Sequence, residues 1–151
     1  MKKKIAYILC TFGGAGYFPF APGTFASFIA VLVIFFINPS HFILAVGVLV
    51  SSIITISLTA EIELSDGKDP GHIVMDEFAG QWITFFLVPS QSIIVLSLGF
   101  FLFRFFDISK ILGLNKLQNL RNGWGVLIDD LLGGLYANIL LQILIATAII
   151  K

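Results

Sequence analysis

The stretch FILAVGVLVSSIITISLTA, residues 42–60, decides the fold. Its 19 residues carry no charge. A helix of that length runs about 28 Å, close to the ~30 Å hydrocarbon core of a bilayer. Residues 131–150 form a second stretch of the same kind. Three shorter apolar stretches, 24–37, 78–88 and 93–106, fall below spanning length and would be kinked, thinned around or partly re-entrant. Asn38-Pro39-Ser40 and Pro89-Ser90-Gln91-Ser92 separate them as tight turns. The chain before Thr24 is rich in glycine, proline and aromatic residues and reads as a re-entrant or interfacial segment, because irregular backbone at membrane depth must be shielded by protein. The expectation is an all-α, polytopic membrane protein with four or five transmembrane helices, in a single domain over residues 1–151.

Composition agrees. Hydrophobic residues make up 58% and charged residues 12%, and mean hydropathy is +1.00; soluble domains average roughly 25% charged. Formal net charge is zero, which removes electrostatic support for a nucleic-acid partner. Cys10 is the sole cysteine, so no internal disulfide forms, and it reads as a small apolar filler. Met1-Lys2-Lys3-Lys4 before an apolar run is how a signal peptide starts, but Gly13, Gly14, Gly16, Pro19 and Pro22 interrupt that run and no clear Ala-x-Ala site follows.

An alternating path with the N-terminus inside places residues 1–23, 61–77 and 107–130 on the cytoplasmic face. Lys2, Lys3, Lys4, Lys68, Arg104, Lys110, Lys116 and Arg121 then lie inside or at the inner boundary, and Lys151 outside on a five-span path. This is the positive-inside pattern. Glu61, Glu63, Asp66, Asp69, Asp76, Glu77, Asp107, Asp129 and Asp130 fall on the same side, and that rule gives no reason for acids to do so. A polar site at the inner surface would.

Asp76-Glu77, Asp107 and Asp129-Asp130 each adjoin an apolar stretch. Carboxylates near hydrocarbon are costly unless paired or bound to a cation, and carboxylate oxygens with water suit a hard cation such as Mg²⁺. Helix capping by aspartate explains one such pair as readily; two pairs and a third aspartate on one face point to a shared site. Neighbours on a helix diverge by about 100°, so each pair can divide its roles. Arg104, Asp107 and Lys110 recur at helical spacing: either Arg104 neutralises Asp107, or Asp107 binds metal while Arg104 and Lys110 face a phosphate. Pro22-Gly23-Thr24-Phe25-Ala26-Ser27 joins a loop to a helix, where backbone N–H groups and the hydroxyls of Thr24 or Ser27 can cradle an anion, or Thr24 can cap the helix. Lys116 and Arg121 suit anionic lipid head groups. His72, in a polar loop, and His41, in a far turn, read as ordinary. No P-loop or Cys/His metal cluster is present in the sequence.

Asp69-Pro70-Gly71-His72-Ile73-Val74-Met75-Asp76-Glu77-Phe78-Ala79-Gly80-Gln81-Trp82 resembles the signature of the phosphatidylglycerophosphatase A family. So do Phe20-Ala21-Pro22-Gly23-Thr24-Phe25-Ala26-Ser27, Phe103-Arg104-Phe105-Phe106-Asp107 and Gly123-Trp124-Gly125-Val126-Leu127-Ile128-Asp129-Asp130. The resemblance implies a Mg²⁺-dependent enzyme of the bacterial inner membrane, active on its cytoplasmic face. Its lipid substrate would be phosphatidylglycerophosphate, hydrolysed to phosphatidylglycerol. Carried over, it makes Asp76, Glu77, Asp129 and Asp130 the catalytic set. The metal ligands are expected among these together with Asp107 and Glu61. Thr24, Ser27, Lys68, Arg104 and Lys110 are expected to bind substrate. The family's Lys-Pro-x-Pro turn is missing: Ile111-Leu112-Gly113-Leu114 follows Lys110, which bears on the loop over 111–122 rather than on the carboxylates.

Other readings fit less well. A CDP-alcohol phosphatidyltransferase would carry Asp-Gly-x-x-Ala-Arg, but Asp66-Gly67 leads into Lys68-Asp69-Pro70. Haloacid-dehalogenase-type phosphatases carry Asp-x-Asp-x-Thr, which is absent. A small cation transporter or channel is the main alternative, and it would place acids near the midplane rather than at one boundary.

Overall fold

A computed structural model describes residues 2–68, 70–111 and 123–147. Asp69, Lys116, Arg121 and Lys151, the loop expected to depart from the family pattern, and the end of the last apolar stretch lie outside them. The regular elements among the described residues are all helices: α1 (Lys2–Cys10), a single 3₁₀ turn (Ala15–Tyr17), α2 (Pro22–Ile37), α3 (His41–Asp66), α4 (Met75–Thr84), α5 (Ile93–Ser109) and α6 (Trp124–Ala146).

Local chemistry sets the helix starts. Proline, whose missing N–H costs nothing at a first turn, opens α2. Ser40 and Ser92 cap α3 and α5, their hydroxyls accepting from Ile43 N and Val95 N, each at 3.4 Å. Thr24 therefore lies inside the first turn of α2 and does not cap it; the cap position is Ala21, at φ 48°.

Each apolar stretch corresponds to a helix, but the ends differ. α3 continues past residue 60 to Asp66, so Glu61, Glu63 and Asp66 are helical. The short stretch 78–88 is helical as far as Thr84 and then turns, with Leu87 at φ 58°. There Asn138 Nδ2 donates to Thr84 O (2.9 Å) and Phe86 O (2.8 Å), taking carbonyls that the ending helix leaves free. The last helix begins at Trp124, so Asp129 and Asp130 sit in its second turn instead of ahead of it. The N-terminal segment, expected as an irregular loop, opens with helix α1. Ala6 and Cys10, one turn apart, are fully buried against Ile62 and Ile73, and that stripe holds α1 on the end of α3.

The two ends of the bundle are each tied across the chain. At one end Tyr7 Oη donates to Asp66 Oδ1 (2.7 Å) and Val74 N to Cys10 O (2.9 Å). At the other, Gln91 Nε2 donates to Pro39 O (3.2 Å), joining the two short turns. α3 and α6 are long and apolar enough to cross a membrane. Phe36, Phe42 and Phe101 are each at least 66% exposed on the outer surface.

α4 lies among α2, α3, α5 and α6. Its approach to α6 is closer than side chains allow. A Cβ on Gly134 would lie 2.2 Å from Gly80 O, and one on Gly80 would lie 2.6 Å from Asp130 O. Small residues let helix backbones meet in this way. Gly134→Ala should lower stability by roughly 1–3 kcal/mol through overpacking. Gly133→Ala, whose new Cβ would meet Asp107 at an ordinary 3.7 Å, should be neutral or better, since alanine is favoured in helices by about 1 kcal/mol. Unfolding in detergent compares the two.

Candidate active site

The Gly80–Gly134 contact sets the carboxylates. Asp76 and Glu77 occupy the first turn of α4, and Asp130 lies one turn before Gly134 on α6. One oxygen from each of the three can lie within 4.8 Å of the others. Asp76 and Asp130 are 4% exposed or less.

Two other acids of the region have cationic partners. Arg104 Nη1 stands 2.6 Å from Asp107 Oδ2, with both side chains 12% exposed. Lys110 Nζ donates to Asp129 Oδ2. Burial alone would lower the Lys110 pKa, but its hydrogen bond to Asp129 and the charges of Asp129, Asp107 and Asp130 outweigh that and raise it, so the ammonium stays charged. Among the described residues of this region, five acids face two cations, and full ionisation would leave an excess of three negative charges. At an effective dielectric near 20, two unit charges this close repel by about 3 kcal/mol or more, so three pairs cost on the order of 10 kcal/mol, comparable to the whole stability of a domain. A cation among them removes that cost, and an all-oxygen donor set fits a hard divalent ion. Glu77 Oε2 and Arg104 Nε are buried without hydrogen-bond partners among the described residues, as are both amide atoms of Gln81, one turn below Glu77. Buried polar atoms left in this way mark a place built for a ligand.

α2 supplies the remaining wall. A Cβ on Gly23 would lie 2.0 Å from Glu77 Oε1, so the anion at this helix start is the protein's own carboxylate, well placed against the helix dipole. Ser27 is fully buried. Its hydroxyl donates to Gly23 O (2.8 Å) and accepts from Arg104 Nη1 (3.5 Å), tying α2 to α5.

Of the residues named from sequence, Asp76, Glu77 and Asp130 converge, Asp107 and Asp129 flank them in ion pairs, and Arg104, Lys110 and Ser27 join the same end of the bundle. Three do not join. Glu61 is exposed and borders a surface hollow with Lys2 and Ser57, outside the carboxylate group, because its turn of α3 faces α1. Lys68 is exposed beyond the end of α3. Thr24 is half-buried and makes no polar contact among the described residues. Sequence reading missed Gly23, Gly80 and Gly134 as spacers, although each stands in or beside a quoted block. It also treated His72 as ordinary. Its ring stacks between Tyr7 and Tyr17, at centroid distances of 5.8 and 5.4 Å, and Nε2 lies 3.1 Å from Asp66. That stack ties α1 to the segment entering α4. Cys10 is buried, and burial together with the nearby Asp76 charge pushes its thiol up to about 11, consistent with an inert filler.

Comparison with known proteins fits this arrangement. The sequence profile described as Phosphatidylglycerophosphatase A matches residues 8–145. A Bacteroides thetaiotaomicron protein, named provisionally as a phosphatidylinositol-3-phosphatase, is 36% identical over 86% of this chain and 87% of its own. Proteins named phosphatidylglycerophosphatase A from Haemophilus influenzae and Escherichia coli are 33% and 30% identical, over 89% and 85% of this chain and 88% and 76% of theirs. No solved structure matches. The chain is thus an all-helical enzyme of the phosphatase class, acting in phospholipid metabolism. It belongs to the phosphatidylglycerophosphatase A family.

Gly23→Ala tests the α2 wall. The new methyl meets the far end of a flexible side chain, so folding should survive while Glu77 is displaced. Phosphatase turnover should fall roughly 10- to 100-fold, the cost of a misplacement near 1 Å, with the unfolding temperature unchanged or raised.

Proposed function

We propose that the protein hydrolyses the phosphate monoester of phosphatidylglycerophosphate, yielding phosphatidylglycerol and inorganic phosphate, with Mg²⁺ as cofactor. The observation that carries this reading is the convergence of Asp76, Glu77 and Asp130, one oxygen of each within 4.8 Å of the others, beside the Arg104–Asp107 and Lys110–Asp129 pairs. Asp76, Glu77 and Asp130 would hold Mg²⁺, which supplies Lewis-acid polarisation of the phosphoryl group and a bound water of lowered pKa. The Arg104 guanidinium, fixed by Asp107 and Ser27, presents donors that suit phosphate oxygens. Lys110 adds a second positive charge from the end of α5 and holds Asp129 in place. These fixed charges would oppose the negative charge that builds on the phosphoryl oxygens.

The membrane reading goes with this site. We infer five crossings of the bacterial inner membrane, by α2, α3, α4 with the turn after it, α5 and α6, with the active site at the cytoplasmic boundary. α2 and α5 run about 24–26 Å at 1.5 Å per residue, short enough to ask for local thinning of the bilayer. Support comes from the two tied ends: the charged segments meet at one, and the uncharged turns at the other. Acids gathered at one end, rather than strung along the midplane, speak against cation transport.

Purified protein in vesicles with Mg²⁺ should release phosphate from phosphatidylglycerophosphate faster than from phosphatidylinositol 3-phosphate, and EDTA should stop it. The reverse preference would move the substrate to the inositol lipid; cation flux without phosphate release would replace the reading with transport. Asp76→Asn and Asp130→Asn should abolish turnover. Glu77→Gln should also melt at a higher temperature than the unaltered protein in EDTA, because it removes like-charge repulsion, and it should lose most of the stabilisation that Mg²⁺ gives the unaltered protein.

A further inference from the structure

Below the contact of Arg104 with Ser27, α2 and α5 part to form an apolar groove of about 230 Å³. Val31 and Leu96, both buried, form its floor. Phe28 and Phe35 on α2 and Ile93 and Ser97 on α5, all exposed, form its rims. Ser97 makes the room: it stands where the neighbouring outward residues Ile93, Ile94 and Phe101 are large. The groove runs two turns of α2, from Phe28 to Phe35, or about 10 Å. Its head lies next to Ser27, one residue from Phe28, and two turns of α5 separate Ser97 from Arg104. A comparable groove of about 270 Å³ lies between α3 and α4, lined by Ala45, Val48, Ser52 and Phe86. No residue of its lining adjoins Arg104, Asp107 or Ser27 in the chain.

We propose that the α2–α5 groove seats an acyl chain of the lipid substrate, with the head-group phosphate held at its upper end by Arg104. This rests on the phosphatase reading above and adds which surface reads the lipid's tail. A phosphomonoester lipid carries a dianionic head joined to long apolar chains, and here the Arg104 guanidinium contacts Ser27, the α2 residue next to the groove's rim residue Phe28. The α3–α4 groove has the apolar part without the cation. Bulk membrane lipid can fill either groove; substrate has a reason to prefer the first.

The test compares kcat/KM for phosphatidylglycerophosphate bearing long chains with that for a short-chain, micelle-forming form, in the full-length protein. Ser97→Phe narrows the groove and should lower the long-to-short ratio about tenfold, the scale on which apolar pockets discriminate, mostly through KM. Ala45→Phe, in the other groove, should leave the ratio unchanged. Leu32→Phe, from the opposite wall of the α2–α5 groove, repeats the test if Ser97→Phe fails to insert. An unchanged ratio in both groove variants, or an equal fall in Ala45→Phe, overturns the groove while leaving the phosphatase reading intact. Failure of the unaltered protein to hydrolyse either chain length overturns that reading, and the groove with it.

Discussion

Everything in this protein is arranged around the repulsion of three carboxylates that cannot move apart. Asp76 and Glu77 are fixed because they begin α4, and Asp130 because its helix touches α4 backbone to backbone at Gly80 and Gly134. With larger residues at either glycine the helices would separate and each acid could relax outward. The glycines therefore convert a packing preference into an electrostatic one. Burial sharpens it, because buried charge has little water to screen it. The charges next to this group are already committed to pairs, Arg104 with Asp107 and Lys110 with Asp129, so they stabilise their own partners more than the three in the middle. Under the proposed function, an external cation would offset the repulsion that remains.

The apolar stretches were legible because composition alone forces them: a run such as residues 42–60 has few other places to go. Helix ends were less legible, for a reason that residues 124–130 show well. Two aspartates in a row look like the edge of a span, yet α6 passes straight through them, since the charge that would be costly in lipid is buried against α4 and α5 instead. Hydropathy measures the cost of facing lipid and cannot register a side chain that faces protein. The same blindness hid α1, whose sequence begins with three lysines but whose Ala6 and Cys10 find a surface on α3.

Within the site, helical geometry made one division readable. Adjacent acids on a helix diverge, and Asp129 and Asp130 do part, one to Lys110 and the other toward Asp76 and Glu77. Asp76 and Glu77 do not part, because both occupy a first turn where α2 and α6 close in from different sides. Which acids lie within reach of each other depends on interhelical distance, and that depends on glycines whose role is to be absent. A missing Cβ leaves no chemical mark on a sequence beyond the glycine itself, and Gly133, beside Gly134, meets no such close contact. Glu61 illustrates the opposite error: an acid at the right end of the right helix, turned toward α1 by a rotation about the α3 axis that spacing to distant blocks cannot fix.

The arrangement also shows how few residues build the site. A soluble hydrolase must build walls to keep water from its buried charges. Here α2, α4, α5 and α6 form those walls by packing around the same region. What the chain must supply is modest: a backbone contact that fixes three oxygens, two ion pairs that keep neighbouring charges from collapsing onto them, and one cation, Arg104, set between two helices. Arg104 is held from both sides, by Asp107 one turn along α5 and by Ser27 across on α2. Both contacts are made by Nη1, which leaves Nε without a hydrogen-bond partner among the described residues.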